Sequence, residues 1–531
     1  MLYKSTLAAR DGTIIPVFSD GKTMFSRYAP LREADNFATT LMQENNPSES
    51  MGNGGLLQGG AGFFVVCGLG NGLHIRSLKK KFPTSVILVI EKSLEDIQWL
   101  KEHFDLSEIL SQQDICITSL SQATESFIQL YNPLLQGNFF FLPLRSWVDQ
   151  LPQEAMEVKH EIQQALKDIA ADYSTQAYFG KMWFRNFFQN LSLLPQTHPP
   201  AQLPDAGSYS QAFVAAAGPS LENFIPDLQQ ATIRTALYLI ATDTSLPVLL
   251  RHGVEPDMVV TIDGQASSAR HFLKRIPGTT VLAADISCCP AVARRCHEAG
   301  CPILFFRNRN PLPSLLDHYL QQHGSTGLPD IDTGAGTVTA AAVDLARWLG
   351  FTRIQVGGGD FAYLDGKPYC RGTYFEDQFV QSADRTSSME QKYVELMFKG
   401  TTIRDKNKIT TPVLENYSKS FHQYLQRHSD VACILHEQRV SAMSPRTDKK
   451  TLCDLELQGE KNMVQQIPQE LATGFVEWYK ELLLQQKEEV ISSILPLYGW
   501  YIKKNKDKCD IFHIMKLAYS QTVRYTIRYG K

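Results

Sequence analysis

The sequence predicts an α/β protein, with two Rossmann-like parallel-sheet domains followed by a C-terminal helical region. Three observations carry that prediction. Buried apolar runs alternate with helical segments in one series from Gly62 and in another from Gln211. A polar, proline-containing stretch, LLPQTHPPAQLPDAG, separates the two series. The strand signal then fades from residue 380 onward. The expected domains are an N-terminal β-meander and Rossmann-like domain over 1–200, a central domain over 205–380, and a mainly helical domain over 381–531.

Residues 1–30 alternate in polarity and carry two Asp-Gly turns, Asp11-Gly12 and Asp20-Gly21, which suits a small β-meander. GFFVVCG then reads as a strand, LHIRSLKKKF as a helix, SVILVIE as a strand and SLEDIQWLKEHF as a helix. DICITSL and NFFFLPL extend the strand series, and 151–195 is strongly helical. The second series has strands in AFVAAAG, ALYLIAT, DMVVTID, TVLAAD, PILFF and RIQVGGGD, with helices such as SLPVLLRHG and TVTAAAVDLARWLG between them. The tail is rich in charged and glutamine residues and ends in aromatic-bearing segments.

At 531 residues the chain is long enough for several domains with ample core. Its 43% hydrophobic and 20% charged content is ordinary for a folded protein. A net charge of −3 supplies no basic field, so no nucleic-acid partner is expected. No apolar run approaches the roughly 20 residues that cross a bilayer, so no membrane span is expected. The N-terminal residues lack the apolar stretch of a secretory signal. Ten cysteines without a C-x-x-C pair fit a reducing, cytoplasmic setting. Cys288, Cys289, Cys296, His297 and Cys301 cluster in sequence but spread over a strand end, a helix and a turn. The four cysteines are read as buried, reduced thiols.

The candidate site lies in the second series. In an open parallel sheet, ligands bind beyond the carboxyl ends of the strands. There AFVAAA ends in Gly218-Pro219-Ser220, ALYLIAT in Asp243, DMVVTI in Asp263, TVLAA in Asp285, and RIQV in Gly357-Gly358-Gly359-Asp360. One aspartate at such a place caps a helix; four at one edge point to recruited hydroxyls, amides or cations. Helix starts supply the opposite sign. Gly218, Pro219 and Ser220 open one such start, and Gly334, Gly336 and Thr337 open another. Two glycine-led starts facing one crevice suit a phosphate. Ser220 either caps its helix or turns its hydroxyl outward. No Walker A pattern occurs.

AAAGPSL, IATDTSLPVLLRHGVEPDMVVTID, TGAGTVTAAAVDLARWLGF and IQVGGGDFAYLDGKPY together resemble the central domain of the motility-associated factor (Maf) glycosyltransferases. That domain is also described as similar to the archaeal 6-hydroxymethylpterin diphosphokinase MptE and to bacterial sialyltransferases. FSRYAPLREADNFA looks like the entry segment of the Maf architecture, so the resemblance covers most of the chain. It implies transfer of a nonulosonic, sialic-acid-like sugar from a CMP donor to serine or threonine of flagellin. Asp360, Tyr363 and Tyr369 would be the catalytic set, with the two tyrosines donating to the departing phosphate. Gly218, Pro219, Ser220, Asp243, Asp263, Gly334, Gly336 and Thr337 would line the substrate. The alternative reading of both tyrosines is as loop aromatics packed on the sheet. The implied partners are flagellin and a nucleotide-sugar, with no tightly bound cofactor.

One departure stands out. Maf proteins commonly carry a histidine shortly after this motif, where this chain has Cys370. The general base is therefore left open; His422, His428 and His436 lie downstream, and spacing singles out none of them. Two rivals remain: an MptE-like diphosphokinase using ATP and Mg²⁺ held by Asp243 and Asp263, and a flagellin-binding motility factor without catalysis. The earlier turn CGLGNGLHIRSL, with Glu91 ending the next strand, partly matches a dinucleotide fingerprint. Its spacing is G-x-G-x-G, and it is read chiefly as structural, with a nucleotide as the second reading.

Overall fold

Runs such as QAFVA and LYLIAT are apolar on both faces, which suits a parallel strand covered by helices on each side. The computed structural model describes residues 1–43, 62–133, 136, 139–200, 203–308, 310–333, 336–405, 408–435, 439–440, 466–505 and 511–529. Two compact units result, Met1–Tyr178 with Gly499–Cys509, and Phe179–Tyr498 with Asp510–Lys531. The division falls inside the helix Pro152–Leu193.

The first unit opens with an antiparallel hairpin, β1 (Tyr3–Ala8) and β2 (Ile14–Phe18). Its second Asp-Gly turn returns the chain only to a single bridge between Val17 and Thr23, so the expected meander is a two-stranded hairpin. Four parallel strands follow: β3 (Phe63–Cys67), β4 (Val86–Glu91), β5 (Ile115–Ser119) and β6 (Phe139–Pro143), in the order β5-β4-β3-β6. Ser93 caps the helix Leu94–His103 by accepting from the Asp96 amide, which sets the exit from β4.

The second unit is built on a seven-stranded parallel sheet. Its strands are β7 (Gln211–Ala215), β8 (Leu237–Thr242), β9 (Met258–Thr261), β10 (Val281–Asp285), β11 (Ile303–Phe306), β12 (Arg353–Gly357) and β16 (Ala432–Ile434). The order is β11-β10-β9-β8-β7-β12-β16. The chain moves outward from β7 to β11 and then returns to the opposite side of β7, so direction reverses between β7 and β12. Helix Val338–Trp348 packs under this sheet through Ala340, Ala341, Ala342 and Val343, whose small side chains let it approach closely.

A three-stranded antiparallel sheet joins β13 (Tyr363–Leu364), β14 (Ile403–Asp405) and β15 (Lys408–Thr410). β14, β15 and β16 correct the expectation that strands end near residue 380. Each is three residues long, too short for alternation to register. Helices Gln469–Leu484, Glu488–Asn505 and Ile511–Tyr529 then give the tail its helical character. No helix among the described residues is long and apolar enough to cross a membrane.

Candidate functional site

The reversal between β7 and β12 is where an open α/β sheet forms its crevice. Gly218-Pro219-Ser220 leaves β7 here and Gly357–Asp360 leaves β12. The two exits are locked together. The Ala216 amide donates to the Gly357 carbonyl at 2.8 Å, and the Gly218 amide to the Gly358 carbonyl at 2.9 Å. The Ser220 amide donates to Asp360 Oδ2 at 2.9 Å, and Ser220 Oγ accepts from the Gly358 amide at 3.2 Å. Ser220 thus neither caps its own helix nor turns free: it bridges to the neighbouring strand exit. The following segment, Pro219–Asn223, is a short 3₁₀ turn rather than an α-helix start. The amide expected to meet a ligand phosphate is met by the Asp360 carboxylate. Phe361 sits next in the left-handed region at φ 47°, with its carbonyl accepting from Thr410 Oγ1 at 3.2 Å. That is strained backbone for a bulky residue, held by the surrounding contacts.

Two carboxylates follow the next two strands of the sheet, β8 and β9. Asp243 follows β8 and is buried. Its Oδ1 accepts from the Thr244 amide at 2.7 Å and hydroxyl at 3.0 Å, and its Oδ2 accepts from Thr261 Oγ1 at 2.9 Å. Asp263 follows β9, with Oδ1 accepting from the Gln265 amide at 2.8 Å. Burial raises the Asp263 carboxyl above its ordinary range against the Gln265 amide; nearby Asp243 raises it further, and His271 pulls it down.

His271 was missed at the level of sequence. It lies in the 3₁₀ segment Ala266–Phe272 beyond Asp263, and only 8% of it is exposed. Its Nδ1 is buried without a hydrogen-bond partner. Burial lowers its pKa, while Asp243 and then Asp263 draw it back up. Its ring lies edge-on to Tyr374 at 5.9 Å and to Phe375 at 5.7 Å. Asparagines of the long helix hold the neighbouring loops. Asn186 Nδ2 donates to the Gly264 carbonyl at 2.8 Å, and Asn190 Nδ2 to the Ile286 carbonyl at 2.9 Å.

Tyr369 closes this side. Phe375 stacks on it at 4.8 Å, continuing the ring contacts of His271. Its phenol is pushed up to about 12, by burial first and then by Tyr363, Asp243 and Tyr417. Tyr363 in β13 is half-buried, and burial raises its phenol too. Both side chains remain neutral donors at physiological pH. Gly336 belongs to the same neighbourhood, because a Cβ there would stand 3.0 Å from Tyr417 Cε1. Thr337 caps the helix Val338–Trp348, its Oγ1 accepting from the Ala340 amide at 3.2 Å. Gly334 lies outside the described residues.

Glu222 clamps the tyrosine loop to the β7 exit. It accepts from Lys367 Nζ at 2.8 Å and from the Arg371 amide at 2.9 Å. Glu222→Ala is expected to cost about 1–2 kcal/mol. It should also speed amide exchange across residues 366–372; unchanged exchange would mean the loop is held elsewhere.

Cys370 is buried, its amide donates to the Ala217 carbonyl at 3.0 Å, and burial pushes its thiol up to about 12. A thiol so placed serves packing, not proton transfer. His422 is exposed and bonded to the Ser418 carbonyl at 2.7 Å, His428 ends the helix Pro412–Arg427, and His436 lies outside the described residues. Cys288, Cys289, Cys296 and Cys301 are free and buried. Among the described residues no three histidine, cysteine or acidic side chains group to hold a metal.

The glycine turn of the first unit presents a different interior. A Cβ at Gly68 would meet Met24 Cε at 2.8 Å and Trp147 Cβ at 3.1 Å, so the protein's own side chains fill the space over that turn. Glu91 accepts from Tyr3 Oη at 2.9 Å, the Leu69 amide at 2.9 Å and Trp147 Nε1 at 2.8 Å. The carboxylate that would take a ribose hydroxyl is engaged within the core.

The fold and the strand-end crevice define an α/β protein with two parallel sheets, of which the seven-stranded one carries the candidate polar site. Residues 185–366 match the family described as 6-hydroxymethylpterin diphosphokinase MptE-like. The solved Maf glycosyltransferase of Magnetospirillum magneticum AMB-1 shares the fold, with a TM-score of 0.55 at 12% identity, covering 99% of this chain and 86% of that one. An uncharacterized protein of Treponema pallidum (strain Nichols) is 33% identical over 173 residues, covering 32% of this chain and 80% of that protein. Another from the same organism is 27% identical over 265 residues, covering 49% of this chain and 81% of that protein. The chain belongs to one family with the 33% identical treponemal protein, and it carries an MptE-like central domain within a Maf-type fold.

Proposed function

We propose that the protein is a glycosyltransferase that moves a nonulosonic, sialic-acid-like sugar from a CMP donor to serine or threonine of flagellin, working in the cytoplasm. The observation that carries this reading is Tyr369, a neutral phenol set among Tyr363, Asp243 and Tyr417 at the carboxyl ends of the strands. A departing CMP phosphate is stabilised by donors that bring no charge of their own and are already oriented. In this reading Tyr369 and Tyr363 donate to that phosphate, with the Gly336–Thr337 helix start on the same side. Asp243 and Asp263 bind sugar or ribose hydroxyls. Asp360 shapes the floor by holding Ser220 and the Gly218 turn in place. The CMP-sugar arrives and leaves as substrate, and no tightly bound cofactor is invoked.

The diphosphokinase alternative asks Asp243 and Asp263 to hold Mg²⁺. Asp243 already directs both oxygens to amide and hydroxyl donors, a set that suits an organic ligand better than a hard cation. Thermal-shift titration with CMP, a CMP-nonulosonate and ATP with Mg²⁺ separates the readings. CMP ligands are expected to raise Tm by several degrees. Stabilisation by ATP with Mg²⁺ alone overturns the proposal in favour of the kinase. No response to any nucleotide favours a flagellin-binding factor without catalysis. A mass increase on co-expressed flagellin, lost in Tyr369→Phe, is the positive result.

A further inference from the structure

We propose that His271 is the general base that takes the proton from the acceptor hydroxyl. The inference rests on the transferase reading and supplies the group that sequence alone left open.

The geometry comes from three separate elements. His271 is nine-tenths buried, and its Nδ1 has no hydrogen-bond partner. Leaving a buried imidazole nitrogen unpaired is costly, and an incoming hydroxyl removes that cost. The ring lies within the electrostatic reach of Asp243 and Asp263, and it contacts Phe375, which stacks on Tyr369. Base, carboxylates and leaving-group donor therefore occupy one neighbourhood. Burial keeps the imidazole neutral near pH 7, so it can accept a proton. Once it has done so, the two carboxylates stabilise the imidazolium, which answers the desolvation cost of burying a cation.

The charged and titratable groups around it come from every packed element. Asp243 follows β8 and Asp263 follows β9. On the helix Tyr374–Ser382, the Tyr374 hydroxyl accepts from Arg270 at 2.7 Å. Arg251 of the neighbouring helix Leu246–Arg251 is paired with Glu376 at 3.2 Å and Asp377 at 2.7 Å. Arg295 of the helix Pro290–Glu298 donates to the Leu273 carbonyl at 2.9 Å. These three arginines are engaged elsewhere, so the carboxylate pair dominates the local field.

The step balances without a further reactant. The acceptor oxygen forms its bond to the anomeric carbon while its proton passes to the imidazole. The bond from the anomeric carbon to the phosphate oxygen breaks, and its electron pair leaves with CMP, which Tyr369 and Tyr363 receive as hydrogen-bond donors. The imidazolium then gives its proton to solvent.

The test compares wild type with His271→Gln and His271→Ala, using CMP for binding and a CMP-nonulosonate with flagellin for transfer. Both variants are expected to keep the CMP-induced rise in Tm while kcat falls by a factor of about 10² to 10⁴. The KM for donor should change little. The wild-type rate should fall on the acid side as the imidazole protonates, and the residual rate of the glutamine variant should lack that limb. If wild type transfers sugar and the folded glutamine variant does so at a similar rate with the same pH profile, His271 is not the base. If wild type neither binds CMP nor transfers, the transferase reading itself fails and the base falls with it. Should the alanine variant fail to fold, the glutamine variant, which retains a polar side chain of comparable reach, carries the comparison.

Discussion

Gly218→Ala is expected to lower the unfolding free energy of the second unit by about 3 kcal/mol or more, the upper range for overpacking. Gly218 has φ −69° and ψ 160°, an ordinary extended conformation open to any residue. The effect is therefore steric. A Cβ at this position would run into the Asp360 carboxylate and the Gly358 carbonyl. Relief requires separating the β7 and β12 exits, which breaks the bond from the Gly218 amide to the Gly358 carbonyl and the bond from Ser220 to Asp360. Gly358 is constrained twice over: its φ is +78°, and a Cβ there would stand 2.9 Å from the Ala216 carbonyl carbon.

Urea denaturation reads the loss as a lower midpoint at constant m-value. The double variant Gly218→Ala/Asp360→Ala should recover part of it, because one of the two obstacles is gone. The two changes should therefore fail to add, by about 1 kcal/mol or more. A single variant as stable as wild type would show that the exits are not locked together. The same variant should also lose CMP-induced stabilisation, since Asp360 leads directly into Phe361 and the tyrosine segment.

The parallel sheets were legible because strands buried on both faces are continuous apolar runs, and each of the six runs from Gln211 to Gly357 is a strand. β16 escaped because three residues at a sheet edge carry no period. Within the candidate site, Asp243 and Asp263 were legible as strand-end residues, whereas Tyr363 and Tyr369 were pointed to by the family resemblance and not by strand or turn pattern. What they touch could not be read. Ser220 and Asp360 bond across 140 residues of chain, so a turn with the outward features of a phosphate cradle is closed by a distant carboxylate. His271 escaped for another reason. Its segment is a 3₁₀ turn with neither helical nor strand period, and only the path of the Asp263-Gly264 loop brings it back to the carboxylates. The first glycine turn shows the converse. Its pattern resembles a nucleotide fingerprint, but Met24 and Trp147, from outside the turn, fill the space above it.

The second large effect concerns Asp285, at the end of β10. Its carboxylate is buried and accepts from two neutral donors, the Ser287 amide at 2.6 Å and Asn308 Nδ2 at 2.6 Å. Burial pushes it up to about 7, and those two hydrogen bonds hold it from rising further. A carboxyl whose folded pKa lies above its unfolded value keeps its proton in the native state after the unfolded chain has lost it. Stability must then fall as pH rises between the two values. This group alone should reduce the unfolding free energy by up to about 4 kcal/mol between about pH 4 and about pH 7, with no further change above. Asp285→Asn removes the titration but faces an amide donor toward Ser287 or Asn308, at a pH-independent cost of about 1–3 kcal/mol. Relative to wild type the variant should therefore gain about 2–3 kcal/mol between pH 5 and pH 8, and its curve should lie above wild type at pH 8. Asp263, also raised by burial, adds a slope of the same sign that survives in the variant and cancels in the difference. Urea unfolding of both proteins from pH 5 to pH 8 measures that difference. Parallel curves would mean that Asp285 is already ionised in the folded protein at pH 5, and that its two donors outweigh its burial.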